Sequence, residues 1–253
     1  MSNVVRKIGF SLEIHKTRKS MGEAAGKKAE ELIVCYLKQK KEVRIIAGSA
    51  PSQNEIIAYL AKSKAIDWSR ITGFHMDEYI GISEDSPQSF GKWMKDRLFS
   101  KVPIKKAHYI WPGTDPKREC ERYAALLKKA PIDVVLAGIG VNGHLAFNDP
   151  PVADFKDPLL VKIISLDPVC RKQQLNDGCF ASMKDVPKRA VTLTIPVLMG
   201  ATSIVCTVPG PTKTKAVGHM FNGKVETKCP ASILRYHPDC YVFLDGESGK
   251  ELL

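Results

Sequence analysis

The sequence predicts an α/β fold, a mainly parallel sheet with helices on both faces in a single domain. Three observations predict it. Short apolar runs, such as Val43–Ala47, Val134–Ala137 and Ser203–Val208, are closed by Gly or Pro, and strands buried on both faces read this way. Segments with apolar residues at three- and four-residue steps separate them. The connections are short, with no linker and no internal repeat, so the β-α-β order implies right-handed crossovers.

In chain order, residues 17–41 place Met21, Ala25, Ala29, Leu32, Ile33, Tyr36 and Leu37 on one face of an amphipathic helix. The strand at 43–47 ends in Gly48-Ser49-Ala50-Pro51-Ser52, and 53–61 reads as a helix with Pro51 near its first turn. A strand, a small-residue loop and a helix start can hold a phosphate on backbone N–H groups. The loop lacks the Walker lysine and the dinucleotide glycine pattern, which disfavours a nucleotide. Residues 71–79 read as one strand ending in Asp77 and Glu78, whose side chains point to opposite faces if the strand is regular. A helix over 87–99, a strand over 107–111 and a helix over 117–129 lead to the central strand at 134–137. Beyond it, 150–158 is polar and proline-rich, a candidate cover. Then follow a strand at 161–166, a helix at 168–176 carrying Arg171, a strand or strand-like helix entry at 190–195 and a strand at 203–208. Pro209-Gly210-Pro211-Thr212-Lys213 opens another helix, and a short helix at 230–237 precedes the last strand at 240–244. The whole is Rossmann-like in outline.

The chain has 253 residues, 44% hydrophobic and 26% charged, an ordinary globular balance. Its seven cysteines are scattered, without a Cys-x-x-Cys pair or a histidine at metal spacing, so no metal is expected and the thiols read as reduced, in a cytoplasmic protein. The amino terminus carries no signal-like apolar stretch, and no apolar run approaches the ~18 residues of a membrane span. The formal charge of +11 is spread over several segments without a nucleic-acid-binding motif. It reads as solvated helix faces, with some pull on an anionic small molecule. Neither nucleic acid nor membrane is expected as a partner.

The loop after the central strand concentrates the chemistry. Gly138-Ile139-Gly140-Val141-Asn142-Gly143-His144 puts a histidine where open α/β sheets bind ligands, with Asp149 five residues on to hold its tautomer. Read alone, the same loop also fits a tight turn around a satisfied core histidine.

Three stretches together resemble the glucosamine-6-phosphate deaminase/isomerase family: Phe74-His75-Met76-Asp77-Glu78-Tyr79, the run Gly138 to Pro150 with its Gly-His-x-x-Phe-Asn-x-Pro, and Arg189-Ala190-Val191-Thr192 followed by Gly210-Pro211-Thr212-Lys213. The resemblance extends from about residue 43 to 245. It implies a cofactor-free deaminating hydrolase/isomerase of amino sugar metabolism, turning a hexosamine 6-phosphate and water into a ketohexose 6-phosphate and ammonia. It implies Asp77 as the base at carbon 2, His144 as the ring-opening acid/base, and Asp149 and Asn142 as the groups behind it. Glu78 neighbours the base and counts among the substrate-binding residues, Arg171 and Lys213 match phosphate contacts, and Gly48, Ser49, Ala50 and Ser52 match the phosphate cradle. The partner is then a small-molecule sugar phosphate, with a homo-oligomer left open.

This chain departs from the family pattern at Asn142, often Asp; at Asp149, often Glu; at His75, usually Asn; and in the cradle, usually a Thr-Gly-Gly-Thr-like run. A galactosamine-6-phosphate isomerase is the near alternative. The related 6-phosphogluconolactonases share the Gly-His core but continue into Thr-Ala-Ser-like residues, unlike Leu145-Ala146-Phe147. A non-catalytic sugar-phosphate-binding regulator is the alternative of another class.

Overall fold

The computed structural model describes residues 3–7 and 9–253, the first strand by its backbone alone. Strand β1 (Asn3–Lys7) pairs antiparallel with β2 (Phe10–His15). This hairpin was not read from the sequence, although the alternating Phe10, Leu12 and Ile14 are the buried side of β2. Helix α1 (Arg18–Gln39) starts in a capping box, with Thr17 and Ser20 each satisfying the other's backbone N–H. Strand β3 (Val43–Ala47) and helix α2 (Asn54–Leu60) follow, a 3-10 turn at Pro51–Gln53 leading into the helix.

The stretch 71–79, expected as one strand, is two. β4 (Ile71–His75) stays in the main sheet, and β5 (Asp77–Tyr79) leaves it. The break falls at Met76, whose carbonyl accepts from the Leu193 N–H at 2.8 Å instead of a neighbour in the main sheet. Next come α3 (Phe90–Met94), continued by a π-helical turn over Lys95–Phe99, then β6 (Lys106–His108), α4 (Pro116–Leu127) and β7 (Val134–Ala137). The second half runs β8 (Val161–Ser165), α5 (Pro168–Asn176), β9 (Arg189–Leu193), α6 (Ile195–Met199), β10 (Ser203–Val208), α7 (Thr214–Asn222) and β11 (Cys240–Asp245).

The main sheet has eight strands in the order β1-β2-β11-β10-β7-β3-β4-β6, every pair parallel except β1 with β2. Both faces are buried. Val134, Leu136, Ile45 and Val205 pack with α1 and α2, whereas Val135, Ala137, Ile46 and Cys206 pack with Tyr123 of α4 and Val217 and Met220 of α7. Burial on both faces is why these strands read as continuous apolar runs. A second, antiparallel sheet of order β5-β9-β8 departs from the single sheet expected; it covers its own core of Tyr79, Phe90, Phe147, Ile164, Cys170 and Phe180.

Two features position the site. The chain runs from β3 outward to β4 and β6, then returns to place β7 on the other side of β3, so the order reverses between β3 and β7. Loops diverge at such a switch point and leave a crevice at the strands' carboxyl ends. The small sheet brings β5 alongside that crevice.

Candidate active site

The crevice is lined by the loop after β3 (Gly48 to Gln53), by Met76 and Asp77, and by Gly138, Ile139, Gly140, His144, Ala146 and Phe147 from the loop after β7. Phe90, three residues of the α5 segment (Gln173, Gln174, Asp177) and Lys213 complete it. Asp77, His144 and Lys213, drawn from three separate parts of the chain, therefore face one cavity.

His144 is held from behind. Its Nδ1 lies 2.8 Å from Asp149 Oδ1, the same oxygen accepts from Asn142 Nδ2 at 2.8 Å, and the His144 backbone N–H donates to Asn142 Oδ1 at 3.2 Å. Burial alone would raise the Asp149 carboxyl, but the His144 hydrogen bond and charge, with the Asn142 amide, hold it below the usual carboxylate range. An ionised Asp149 accepts a proton-bearing Nδ1, which leaves Nε2 with its lone pair. The ring needs room that only glycine provides: a Cβ at Gly140 would sit 2.2–2.3 Å from its atoms. Gly143 turns the chain at φ 82°, and a Cβ there would meet Cys229 Sγ at 2.5 Å. Ala146, a cavity wall residue, sits at φ 50°, a strained conformation of the kind that collects at functional sites.

Asp77 is buried, and burial followed by the neighbouring Glu78 charge pushes its carboxyl well above the ordinary range. Glu78 points the other way, as strand alternation requires. Its carboxylate accepts from the Ser89 hydroxyl and from the Phe90 and Gly91 N–H groups, capping α3. It does not line the cleft, a correction to its placement beside the substrate. The nearby His75 is also structural: its Nε2 accepts the Ile110 N–H at 2.8 Å, and burial lowers its pKa to about 3.

Lys213 ends the turn that opens α7, its backbone N–H donating to Gly210 O at 3.2 Å, and its ammonium makes no hydrogen bond or ion pair among the described residues. Burial lowers its pKa to about 8, with Asp177 and then Cys170 opposing. A buried cation without a partner calls for an anion. Gly48, Ser49, Ala50 and Ser52 line the same cleft, and Ser49 Oγ is buried with no hydrogen-bond partner among the described residues.

Arg171 is placed differently from the expectation. Its guanidinium donates to the carbonyls of Met183, Val186 and Pro187, so it clamps the segment after α5 and does not line the cleft. The same helix sends Gln173 and Gln174 inward, which the sequence reading missed. Gln173 Oε1 accepts the Val141 N–H at 2.9 Å, and Gln174 Oε1 accepts the Tyr79 hydroxyl at 2.8 Å. Two adjacent amides followed by Asp177, on a helix with a weak apolar face, were the available signal. The stretch 150–158, expected as a cover, contributes no lining residue; Gln53 does, donating to Ala137 O and Thr207 Oγ1 and so lacing β3, β7 and β10 together.

Known proteins resemble this chain in sequence and fold. The family profile described as glucosamine-6-phosphate isomerases/6-phosphogluconolactonase matches residues 16–242. A glucosamine-6-phosphate deaminase of Exiguobacterium sp. is 36% identical over 222 residues, 86% of this chain and 85% of its own length. One of Listeria innocua is 35% identical over 233 residues, 90% of this chain and 96% of its own. Among solved structures, a monomeric glucosamine-6-phosphate deaminase superposes with TM-score 0.84 at 27% identity, covering 94% of this chain and 98% of its own. A 6-phosphogluconolactonase of Thermotoga maritima gives TM-score 0.78 at 19% identity, covering 93% and 99%, a likeness of fold alone. With the match running through nearly the whole chain, the protein belongs to the glucosamine-6-phosphate isomerase/6-phosphogluconolactonase family.

Proposed function

We propose that the chain is an isomerase that deaminates a hexosamine 6-phosphate, glucosamine 6-phosphate first among them, to a ketohexose 6-phosphate and ammonia. The observation that carries this reading is one cleft shared by a buried, strongly basic carboxylate, an imidazole backed by a carboxylate, and an unpaired buried lysine. Relatives at 35–36% identity that bear the deaminase name favour it over lactone hydrolysis.

Lys213, Ser49 Oγ and the backbone around Ser52 would take the phosphate, fixing the sugar by its far end. His144 Nε2 takes the anomeric hydroxyl proton and hands it to the ring oxygen as the C1–O5 bond breaks, leaving an aldehyde. The aldehyde acidifies the C2–H bond. Asp77 removes that proton while the C1 oxygen becomes a hydroxyl at the expense of one ammonium proton, giving an enolamine. Asp77 returns its proton to C1, which leaves an iminium at C2. Water adds there, ammonia departs, and the ketone remains. The sequence of steps needs no cofactor.

All seven cysteines are unpaired, which supports a reducing, cytoplasmic setting. No helix among the described residues is long and apolar enough to cross a membrane. The deciding experiment supplies glucosamine 6-phosphate, galactosamine 6-phosphate and 6-phosphogluconolactone in parallel. Ammonia from the first is expected; acid release from the lactone without ammonia from either amino sugar would overturn the reading.

A further inference from the structure

The cavity accounts for the front of His144, and its back has a neighbour with no part in the mechanism above. Cys170, in the first turn of α5, reaches the imidazole and carboxylate pair. One ligand atom each from His144, Asp149 and Cys170 lie within 4.8 Å of one another, all three residues being buried. Asp149 Oδ1 is occupied by His144 and Asn142. Its other oxygen is buried and makes no hydrogen bond to nitrogen or oxygen among the described residues; the thiol is its neighbour.

We propose that His144, Asp149 and Cys170 form a binding site for a thiophilic divalent cation, Zn²⁺ or Cd²⁺, whose occupancy switches catalysis off. Imidazole nitrogen, carboxylate oxygen and thiolate sulfur are a donor set that zinc takes, with the fourth position left to water. Of the three, His144 lines the cleft, whereas Asp149 and Cys170 lie behind it. Charge also balances. A dication with one thiolate and one carboxylate is neutral, so the buried site carries no net charge once filled.

Binding costs one proton per ion: the Cys170 S–H bond gives its proton to solvent as the sulfur–metal bond forms. His144 moves its own proton from Nδ1 to Nε2 as Nδ1 takes the metal, so no proton is lost there. An Nε2 that carries hydrogen cannot accept the anomeric proton. The inhibition therefore rests on the reading of His144 given above, whereas the binding does not. Residues 26 apart in sequence meet here, which is why cysteine spacing alone predicts no site.

The test is a titration of the reduced, chelator-treated full chain with Cd²⁺ and Zn²⁺, reading the ultraviolet cadmium–thiolate absorption, proton release and ammonia production. The expected result is one ion per chain, one proton released, and activity lost in step with the absorption. Cys170→Ser should keep its metal-free turnover, lose the absorption band, and weaken inhibition at least about tenfold; Cys35→Ser, at an exposed thiol, should behave as the parent. An unchanged band and unchanged inhibition in Cys170→Ser would overturn the proposal. Should that variant fail to fold, X-ray absorption of the zinc-loaded parent decides: one sulfur among nitrogen and oxygen ligands supports the site, and none or several sulfurs overturns it. If no substrate yields ammonia, the band and proton count still decide the site while the proposed function fails separately.

Discussion

Replacing Lys213 by methionine should make the protein more stable and a worse binder of phosphate at once. The drop in the lysine from its ordinary 10.5 to about 8 corresponds to about 3 kcal/mol at 1.36 kcal/mol per tenfold change in proton affinity. The unfolded chain holds this proton more tightly than the folded one. Folding therefore loses stability as pH falls from 10.5 to 8, and the full penalty is present below 8. Methionine fills similar space without the charge, so Lys213→Met should gain up to about 3 kcal/mol at pH 7, roughly 2–4 °C in Tm per kcal/mol. The gain should shrink toward pH 10. If Lys213 holds the phosphate as proposed, the same change removes a charged hydrogen bond worth about 1.5–3 kcal/mol, so KM should rise about 10- to 100-fold with a smaller change in kcat. Denaturant melts across pH 7–10 and steady-state ammonia assays read both arms. A variant less stable at pH 7 with an unchanged KM would refute the reasoning, because the lysine would then be neither strained by burial nor aimed at the substrate.

Asp77→Asn should leave KM near the parent's and reduce kcat at least about 100-fold, since the amide cannot take the C2 proton; loss of C2–deuterium exchange checks this, and undiminished turnover refutes the base. The pH profile of kcat/KM should have its acid limb above the ordinary carboxylate range, because Asp77 must be ionised and burial raises it. Its alkaline limb should fall near 8, where Lys213 loses its proton; an acid limb near pH 4 would contradict the first assignment. Gly140→Ala should cost about 100-fold in turnover by displacing the imidazole, since its Cβ would lie 2.2–2.3 Å from the ring, and circular dichroism should show the fold retained. Arg171→Ala should lower Tm by several degrees while KM changes little, because its bonds go to the Met183, Val186 and Pro187 carbonyls; a large rise in KM would restore it to the phosphate.

What was legible in the sequence follows from range. Strands buried on both faces announce themselves by uninterrupted apolar runs, and the pairing of His144 with Asp149 lies within a single loop, so both were readable. The opposite facing of Asp77 and Glu78 was readable too, because alternation is a local property of a strand. The break at Met76 was not: it depends on the Leu193 N–H, more than a hundred residues later, offering a partner that the main sheet does not. Arg171 illustrates the limit of motif position. The residue sits on the helix that borders the site, yet a helix has several faces, and which one turns inward is set by packing of Cys170 and Leu175 against the small sheet's core. The inward face carries Gln173 and Gln174 instead.

That small sheet explains how Asp77 of β5 and His144 of the loop after β7 keep a common geometry. Asp77 of β5 stands opposite Thr192 of β9. The Thr192 hydroxyl accepts the Phe147 N–H at 3.1 Å, and the Asn148 amide donates to the Leu193 carbonyl at 2.8 Å and to Leu145 O at 2.9 Å. The loop that carries His144 is thus fastened to the very strand that registers Asp77, with no residue of the loop after β3 in that chain of contacts. Because hydrogen-bonded register fixes position far better than a flexible loop would, the carboxylate and the imidazole can shift together relative to the loop after β3 and Lys213 without losing one another. The Phe-Asn of the motif is on this account a mechanical tie: it holds the Asp77 carboxylate and the His144 imidazole on a shared frame.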